Sequence, residues 1–301
     1  VVRVPRFGAK TSEVLENVVA GIPIGKVDLV HVQHEYGIFQ GFDGRFYAAL
    51  RQIGKPIVTT MHAVGNWVID SLIADVSNRV IVHNEFCASR FGFPKKTVII
   101  PHGVVLSKCD SKEEARQKLG LPVNAPIIGY CGFISSYKGL EMLIEAMTTV
   151  PNVALLIAGG WHVEQETQYI VQLKQRTLDV LPGRCQWLGY IPDEQLSTVY
   201  GAMDVVVYPS RFSTESGALL MALGHGKAVI ASDLSPFKEK ERKGALITFK
   251  NVADLRHKIS GLLANEELRQ KLEEGAREYS ESVSWQNIAV QHIQLYEKIL
   301  K

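Results

Sequence analysis

The sequence is short of several things, and each shortage narrows the reading. No apolar run approaches the ~18–20 residues that a helix needs to cross a bilayer. No signal peptide is visible either, although the chain begins at Val1 rather than Met and a leader could have been lost. Charge of one sign is lacking too. The 33 basic residues stand against 31 acidic ones for a net +2, and many alternate with acids, as in Lys238-Glu239-Lys240-Glu241. That leaves no global footprint for nucleic acid. The cysteines, Cys87, Cys109, Cys131 and Cys185, are too far apart for a zinc pattern or a CxxC pair, and they read as thiols in a reducing, cytoplasmic compartment. No GxGxxG follows a strand, which argues against a nicotinamide-dependent dehydrogenase. No clustered carboxylate motif demands Mg²⁺, and no cofactor is expected. Internal repeats and low-complexity tracts are missing as well.

What is present is an ordinary globular composition, 46% hydrophobic and 21% charged over 301 residues. That suffices for one large or two medium domains with buried cores. Short β-branched or apolar runs recur at 27–33, 56–61, 79–83, 97–101, 127–131, 154–158, 205–208 and 228–231. None alternates cleanly, as expected of strands buried on both faces. Helical spacing separates most of them, over 11–20, 44–53, 112–119, 140–149, 164–181, 193–202 and 254–264. This alternation predicts an α/β chain with parallel sheets covered by helices. A strand ends in the turn Ile100-Pro101-His102-Gly103, and a fresh βα series then begins. The domains are therefore placed at 1–106 and 107–283, followed by an amphipathic helix over 284–301 whose apolar face needs a partner.

The most informative stretch is 204–233. A buried strand stops at Pro209, a polar loop Ser210-Arg211-Phe212-Ser213-Thr214-Glu215 follows, and a helix opens at Ser216-Gly217-Ala218. Loops of this kind sit outside the carboxyl ends of the strands, where open α/β sheets bind ligands. Unpaired N–H groups at a helix start favour an anion, phosphate above all. Glu215 either caps this helix or reaches the hydroxyls of whatever hangs from the phosphate.

Several separated segments, taken in order, resemble one family. They are His31-Val-Gln-His34-Glu35-Tyr36-Gly37, Thr59-Thr60-Met61-His62, Val80-Ile-Val-His83-Asn84-Glu85, Ile100-Pro101-His102-Gly103-Val104, Gly132-Phe133 with Lys138-Gly139-Leu140, Leu188-Gly189-Tyr190-Ile191-Pro192-Asp193, the stretch above, and Val283-Ser-Trp285. The set resembles the retaining nucleotide-sugar glycosyltransferases of the GT-B type, family 4, also called glycosyl transferases group 1. The resemblance implies two Rossmann-like domains facing across a cleft, acceptor mostly on the first and donor on the second, with the last helix crossing back to the first. It also implies an opening strand, glycine-rich loop and helix that nothing before Val27 supplies. The first domain is therefore read as incomplete at its start, with the missing part absent or provided by a longer chain or a partner.

The resemblance assigns roles residue by residue. Lys138 would neutralise the diphosphate and stabilise the leaving group. Gly132 begins the same loop, with Phe133 where the family carries an Arg. The backbone of Tyr190-Ile191 would hold the base, and Glu239 aligns with a glutamate near the ribose or diphosphate. The family's two glutamates, eight residues apart, fall on Ser213 and Met221, so both are lost. Glu215 is the nearest carboxylate left for the sugar, and the N–H groups of Ser216, Gly217 and Ala218 remain for phosphate or sugar oxygens. His62 would contact the donor sugar and assist the reaction. His34 and Glu35 would line the acceptor side or shape the loop that follows them. The implied reaction transfers a sugar, with retention and without a bound metal, from a nucleoside-diphosphate sugar to a hydroxyl of a glycan, lipid-linked or small-molecule acceptor. A lipid-linked acceptor would put the protein at the inner face of the membrane. Two other readings stay open: a phosphorylase-like or sugar-phosphate-using relative, and a non-catalytic, partner-dependent binding subunit.

Overall fold

The computed structural model describes residues 17–39, 43–65, 67–161 and 163–301. The chain divides into two compact units, one running to His102 and including Gln286–Lys301, the other Gly103–Trp285.

The first unit holds a parallel four-stranded sheet in the order β1-β2-β3-β4: Val30–His34, Ile57–Met61, Arg79–Val82 and Thr97–Ile99. β2 is buried along its whole length, and this explains its unbroken apolar and threonine character. β1 instead alternates, turning Val32 and His34 into a core with Phe39, Tyr47 and Leu50 while His31 and Gln33 face the other side.

The second unit holds a parallel six-stranded sheet: β5 (Ile127–Cys131), β6 (Ala154–Ala158), β7 (Cys185–Gly189), β8 (Val205–Tyr208), β9 (Val229–Ser232) and β10 (Ile247–Phe249). Its order is β10-β9-β8-β5-β6-β7. From β5 the chain runs outward through β6 and β7, then returns to β5's other side for β8 and continues outward. The order therefore reverses between β5 and β8, and a crevice opens at the carboxyl ends of those two strands.

The expected α/β architecture with parallel sheets is what the chain adopts. Differences lie in elements that periodicity marks weakly. The helices Val68–Val76, Glu85–Phe91, Ser235–Glu241 and Glu266–Ser282, and the strand β10, were not anticipated. Glu266–Ser282 is the largest of these. It carries charge on most of its circumference and buries only Leu272, Ala276, Tyr279 and Ser280, so its apolar stripe is faint. Asn265 caps it, accepting from Leu268 N. The expected helix over 11–20 falls largely outside the described residues.

Candidate functional site

In the second unit, two loops meet at the reversal of strand order. The loop after β5 runs from Gly132 through the turn Ser136–Lys138 to the helix Leu140–Met147. The loop after β8 runs from Pro209 to Ser216, the N-cap of the helix Gly217–Gly224, whose hydroxyl accepts from Leu219 N. They touch directly: Arg211 N donates to Tyr137 O at 2.8 Å, and Arg211 pairs with Glu141 at the head of the neighbouring helix. Beneath them the wholly buried Tyr208 hydroxyl lies 2.6 Å from Ala218 O and 3.0 Å from Cys131 O. One hydrogen thus serves the end of β5 and the first turn of the helix together.

The backbone approaches itself closely here. Gly159, after β6, has φ +152, and a Cβ on it would lie 1.8 Å from Gly132 O. Only glycine lets the β5 and β6 ends close in this way.

Lys138 is the cation of the site. Burial lowers its pKa, and among the described residues its ammonium has no carboxylate or hydrogen-bond acceptor; it lies 4.8 Å over the Tyr137 ring. Ser210 Oγ, buried at the start of the opposite loop, is likewise without a partner. A desolvated cation and an orphaned hydroxyl on adjoining loops are costly unless something polar joins them.

The helix Gly217–Gly224 leaves the N–H groups of Gly217 and Ala218 without acceptors among the described residues, as expected of a first turn. Ser216 differs from the expectation, because its N–H already donates to Glu215 Oε1 at 2.9 Å. The other Glu215 oxygen accepts from Lys240 Nζ at 2.8 Å, with both side chains almost fully buried. Both carboxylate oxygens are thus occupied within the protein, and Glu215 holds the loop in place. Lys240 is a residue that sequence reasoning missed; its place in an alternating charge run made it look like a surface cation.

Among the other expected donor-side residues, Tyr190 and Phe133 are exposed, and the Tyr190 side chain lies against Gly160. Ile191 follows on the same loop after Gly189, which has φ +72. Ser213 is buried and bonds the Glu215 carbonyl at 3.0 Å. Glu239 lies on the helix Ser235–Glu241, one residue before Lys240.

In the first unit, the carboxyl ends of the strands carry histidines. His62 follows β2, its ring centroid 5.3 Å from His83 and 6.1 Å from His102, which are themselves 5.2 Å apart. His83 was not singled out from sequence. Among the described residues, no group of three or more His, Cys, Asp or Glu is placed to hold a metal ion.

The protonation of His62 follows from a chain of hydrogen bonds. Gln33 Nε2 and Thr60 Oγ1 both reach His31 Nε2, at 3.3 and 2.8 Å, and that nitrogen must accept. His31 Nδ1 therefore donates to Tyr296 Oη at 2.6 Å. Gln33 Oε1 faces His62 Nε2 at 2.8 Å, so Nε2 carries the hydrogen and Nδ1 keeps its lone pair. Burial, with His102 adding, lowers the His62 pKa and keeps the ring neutral at pH 7.

His34 packs against the segment that follows it in the chain. It is wholly buried, stacked on Phe39 at 4.6 Å and edge-on to Tyr36 at 5.1 Å, as part of the aromatic core. Glu35 is partly buried, and burial raises its pKa against backbone hydrogen bonds that lower it.

Comparison with known proteins bears on the second unit first. A family model described as "Glycosyl transferases group 1" matches residues 111–279, more than half of the chain, and this includes every donor-side residue named above. The chain is similar to the D-inositol 3-phosphate glycosyltransferase of Corynebacterium urealyticum, 26% identical over 198 residues, which are 62% of this chain and 46% of that protein. It spans about half the length of the curated relatives it matches. Among solved structures it is similar to sucrose-phosphate synthase from Thermosynechococcus elongatus, with TM-score 0.80, 23% identity, and coverage of 99% of this chain and 80% of that one. It is also similar to Anabaena HepE in complex with UDP and glucose, with TM-score 0.80, 20% identity, and coverage of 98% and 83%. At such identities the likeness establishes the fold, an α/β GT-B-like arrangement of two parallel sheets.

Proposed function

The chain belongs to the glycosyl transferases group 1 family, and from that premise we propose that it is a retaining glycosyltransferase taking its sugar from a nucleoside diphosphate. The observation that carries the reading is Lys138, a desolvated ammonium with no counter-ion among the described residues, on a loop at the reversal of strand order. Beside that loop stand the open N–H groups of Gly217 and Ala218. A diphosphate would be met by one cation and a helix start, and charge growing on the leaving group would be stabilised without reorganisation.

Glu215 acts here as a positioning residue. Its ion pair with Lys240 and its bond to Ser216 N fix the start of the helix whose amides face the ligand. The exposed Tyr190 ring and the backbone around Ile191 offer the base a flat surface and polar edge groups. His62, neutral with a free Nδ1 lone pair, is suited to accept a hydrogen bond from a sugar or acceptor hydroxyl. The acceptor is a hydroxyl of a glycan, lipid-linked or small molecule.

Calorimetric titration with UDP, GDP and ADP and their sugar conjugates tests this. UDP comes first because the HepE structure holds UDP. One nucleotide should bind selectively and weaken tenfold or more in Lys138→Ala, a loss of about 1.4 kcal/mol. Binding of sugar phosphates alone would move the assignment to a phosphorylase-like relative, and no binding of either would remove the donor-site reading.

A further inference from the structure

At the opposite, amino end of the second unit's sheet lies a feature that the donor site does not use. Lys227 precedes β9 and is 9% exposed, and burial lowers its pKa. Among the described residues its ammonium has no hydrogen-bond acceptor and no carboxylate at ion-pairing distance; Cys109, Glu273 and Asp204 act on it only through space. A lysine so buried is ordinarily paired. This one opens into a cavity of about 390 Å³, lined also by Ser107, Lys108, Cys109, His225, Arg277 and Glu273.

The walls sort by charge. Lys108, Lys227 and Arg277 face a single carboxylate, Glu273, and among the described residues none of the three cations is in an ion pair. Gly226, with φ +65, lets the Arg277 side chain pass over it, since a Cβ there would lie 2.8 Å from Nη1. His225 adds no fourth positive charge. Burial lowers its pKa, and its Nδ1 lies 2.7 Å from Met221 O. A second cavity, of about 240 Å³, shares Lys227 but adds Asp110, Asp204 and Glu266, so carboxylates outnumber cations there and an anion is repelled. Lys112, on that side, is already bound to Asp204 at 2.6 Å.

We infer that the cavity walled by Lys108, Lys227 and Arg277 is a binding site for a small phosphate dianion, separate from the donor site. Lys227 supplies the desolvated charge, and a bound dianion gives it the partner that the protein withholds. Arg277 supplies a guanidinium able to engage two oxygens, and Ser107 a hydroxyl at the rim. Inorganic phosphate and the phosphate end of a monoester present the same chemistry to these groups.

Thermal unfolding with inorganic phosphate, with glycerol 3-phosphate, and with sodium chloride at matched ionic strength tests the site. In the wild-type chain and in Lys138→Ala, phosphate at ten times its dissociation constant should raise the midpoint by about 2–3 °C over chloride. The rise should vanish in Lys227→Met and shrink in Arg277→Gln, which alters an exposed side chain and leaves the fold intact. A rise with glycerol 3-phosphate as well assigns the site to phosphate monoesters, and a rise with phosphate alone assigns it to the free ion. The inference fails if phosphate does no more than chloride, or if its effect survives undiminished in both Lys227→Met and Arg277→Gln. It also fails if only Lys138→Ala abolishes the effect, because the ion would then be reading the donor loop.

Discussion

Lys240 Nζ lies 2.8 Å from Glu215 Oε2, and the two side chains are 3% and 6% exposed. Burial pulls the Lys240 pKa down, yet the Glu215 carboxylate outweighs it and the net shift is upward. Removing one partner strands a buried charge, so Glu215→Gln or Lys240→Met should each cost about 3–5 kcal/mol. The double variant should lose much less than the sum. Denaturant unfolding of all four proteins measures this, and simple additivity would show that the pair does not hold the loop.

Gly159→Ala concentrates two penalties at one atom. Backbone at φ +152 costs a non-glycine residue about 1–3 kcal/mol, and the new Cβ meets Gly132 O at 1.8 Å. The variant should be destabilised by at least that amount and should bind nucleotide more weakly, because the β5 loop must move. Unchanged unfolding and unchanged nucleotide affinity would mean that the two strand ends are not locked together.

Acid should weaken the first unit. His31 and His34 both have pKa values lowered to about 4 from 6.5, chiefly by burial, with His292 and His62 adding for His31 and His62 for His34. Below about pH 6.5 the unfolded chain takes up protons that the native rings refuse. Stability held at neutral pH is therefore lost as pH falls from 6.5 toward 4. His34→Phe keeps the stack on Phe39 and removes one of the two groups. It should flatten the dependence of the urea midpoint on pH across that range, and an unaltered slope would place the acid sensitivity elsewhere.

Asp204 anchors the entry to β8. It accepts from Arg116 Nη2 at 2.6 Å and from Ile127 N at 2.7 Å, and Lys112 adds to the pair. Arg116 also donates to the Ala202 and Val123 carbonyls and is itself buried. Asp204→Ala leaves that guanidinium buried without a counter-ion, and about 3–5 kcal/mol should be lost in chemical denaturation. A loss below 1 kcal/mol would mean that water replaces the carboxylate.

The sheets could be read from sequence because strands buried on both faces leave continuous apolar runs, as in Ile127–Cys131 and Val205–Tyr208. So could the two loops at the reversal of strand order, which Pro209 and Gly139 punctuate. The partnerships were hidden. Nothing local says that Lys240, in a run of alternating charge, turns inward to Glu215, since that pairing spans 25 residues. His34 and His62 each end a strand in similar sequence, yet one faces the aromatic core and the other faces Gln33. Strand parity and the helix packed on each face decide this, and both are properties of the assembled sheet. Glu266–Ser282 escaped notice for the opposite reason, because its buried stripe is too narrow to stand out among its charges.

Tyr208 shares its single hydroxyl hydrogen between Cys131 O and Ala218 O. Acting as a strut beneath the floor, it sets the gap between the two ledges on which a ligand would rest. On the proposed reading, span would be controlled by a group the ligand never meets, and substitutions on the loops would retune which head group is accepted while the gap stays the same. Shaving that one oxygen, as in Tyr208→Phe, would leave every ligand-facing side chain in place and still let the ledges drift apart.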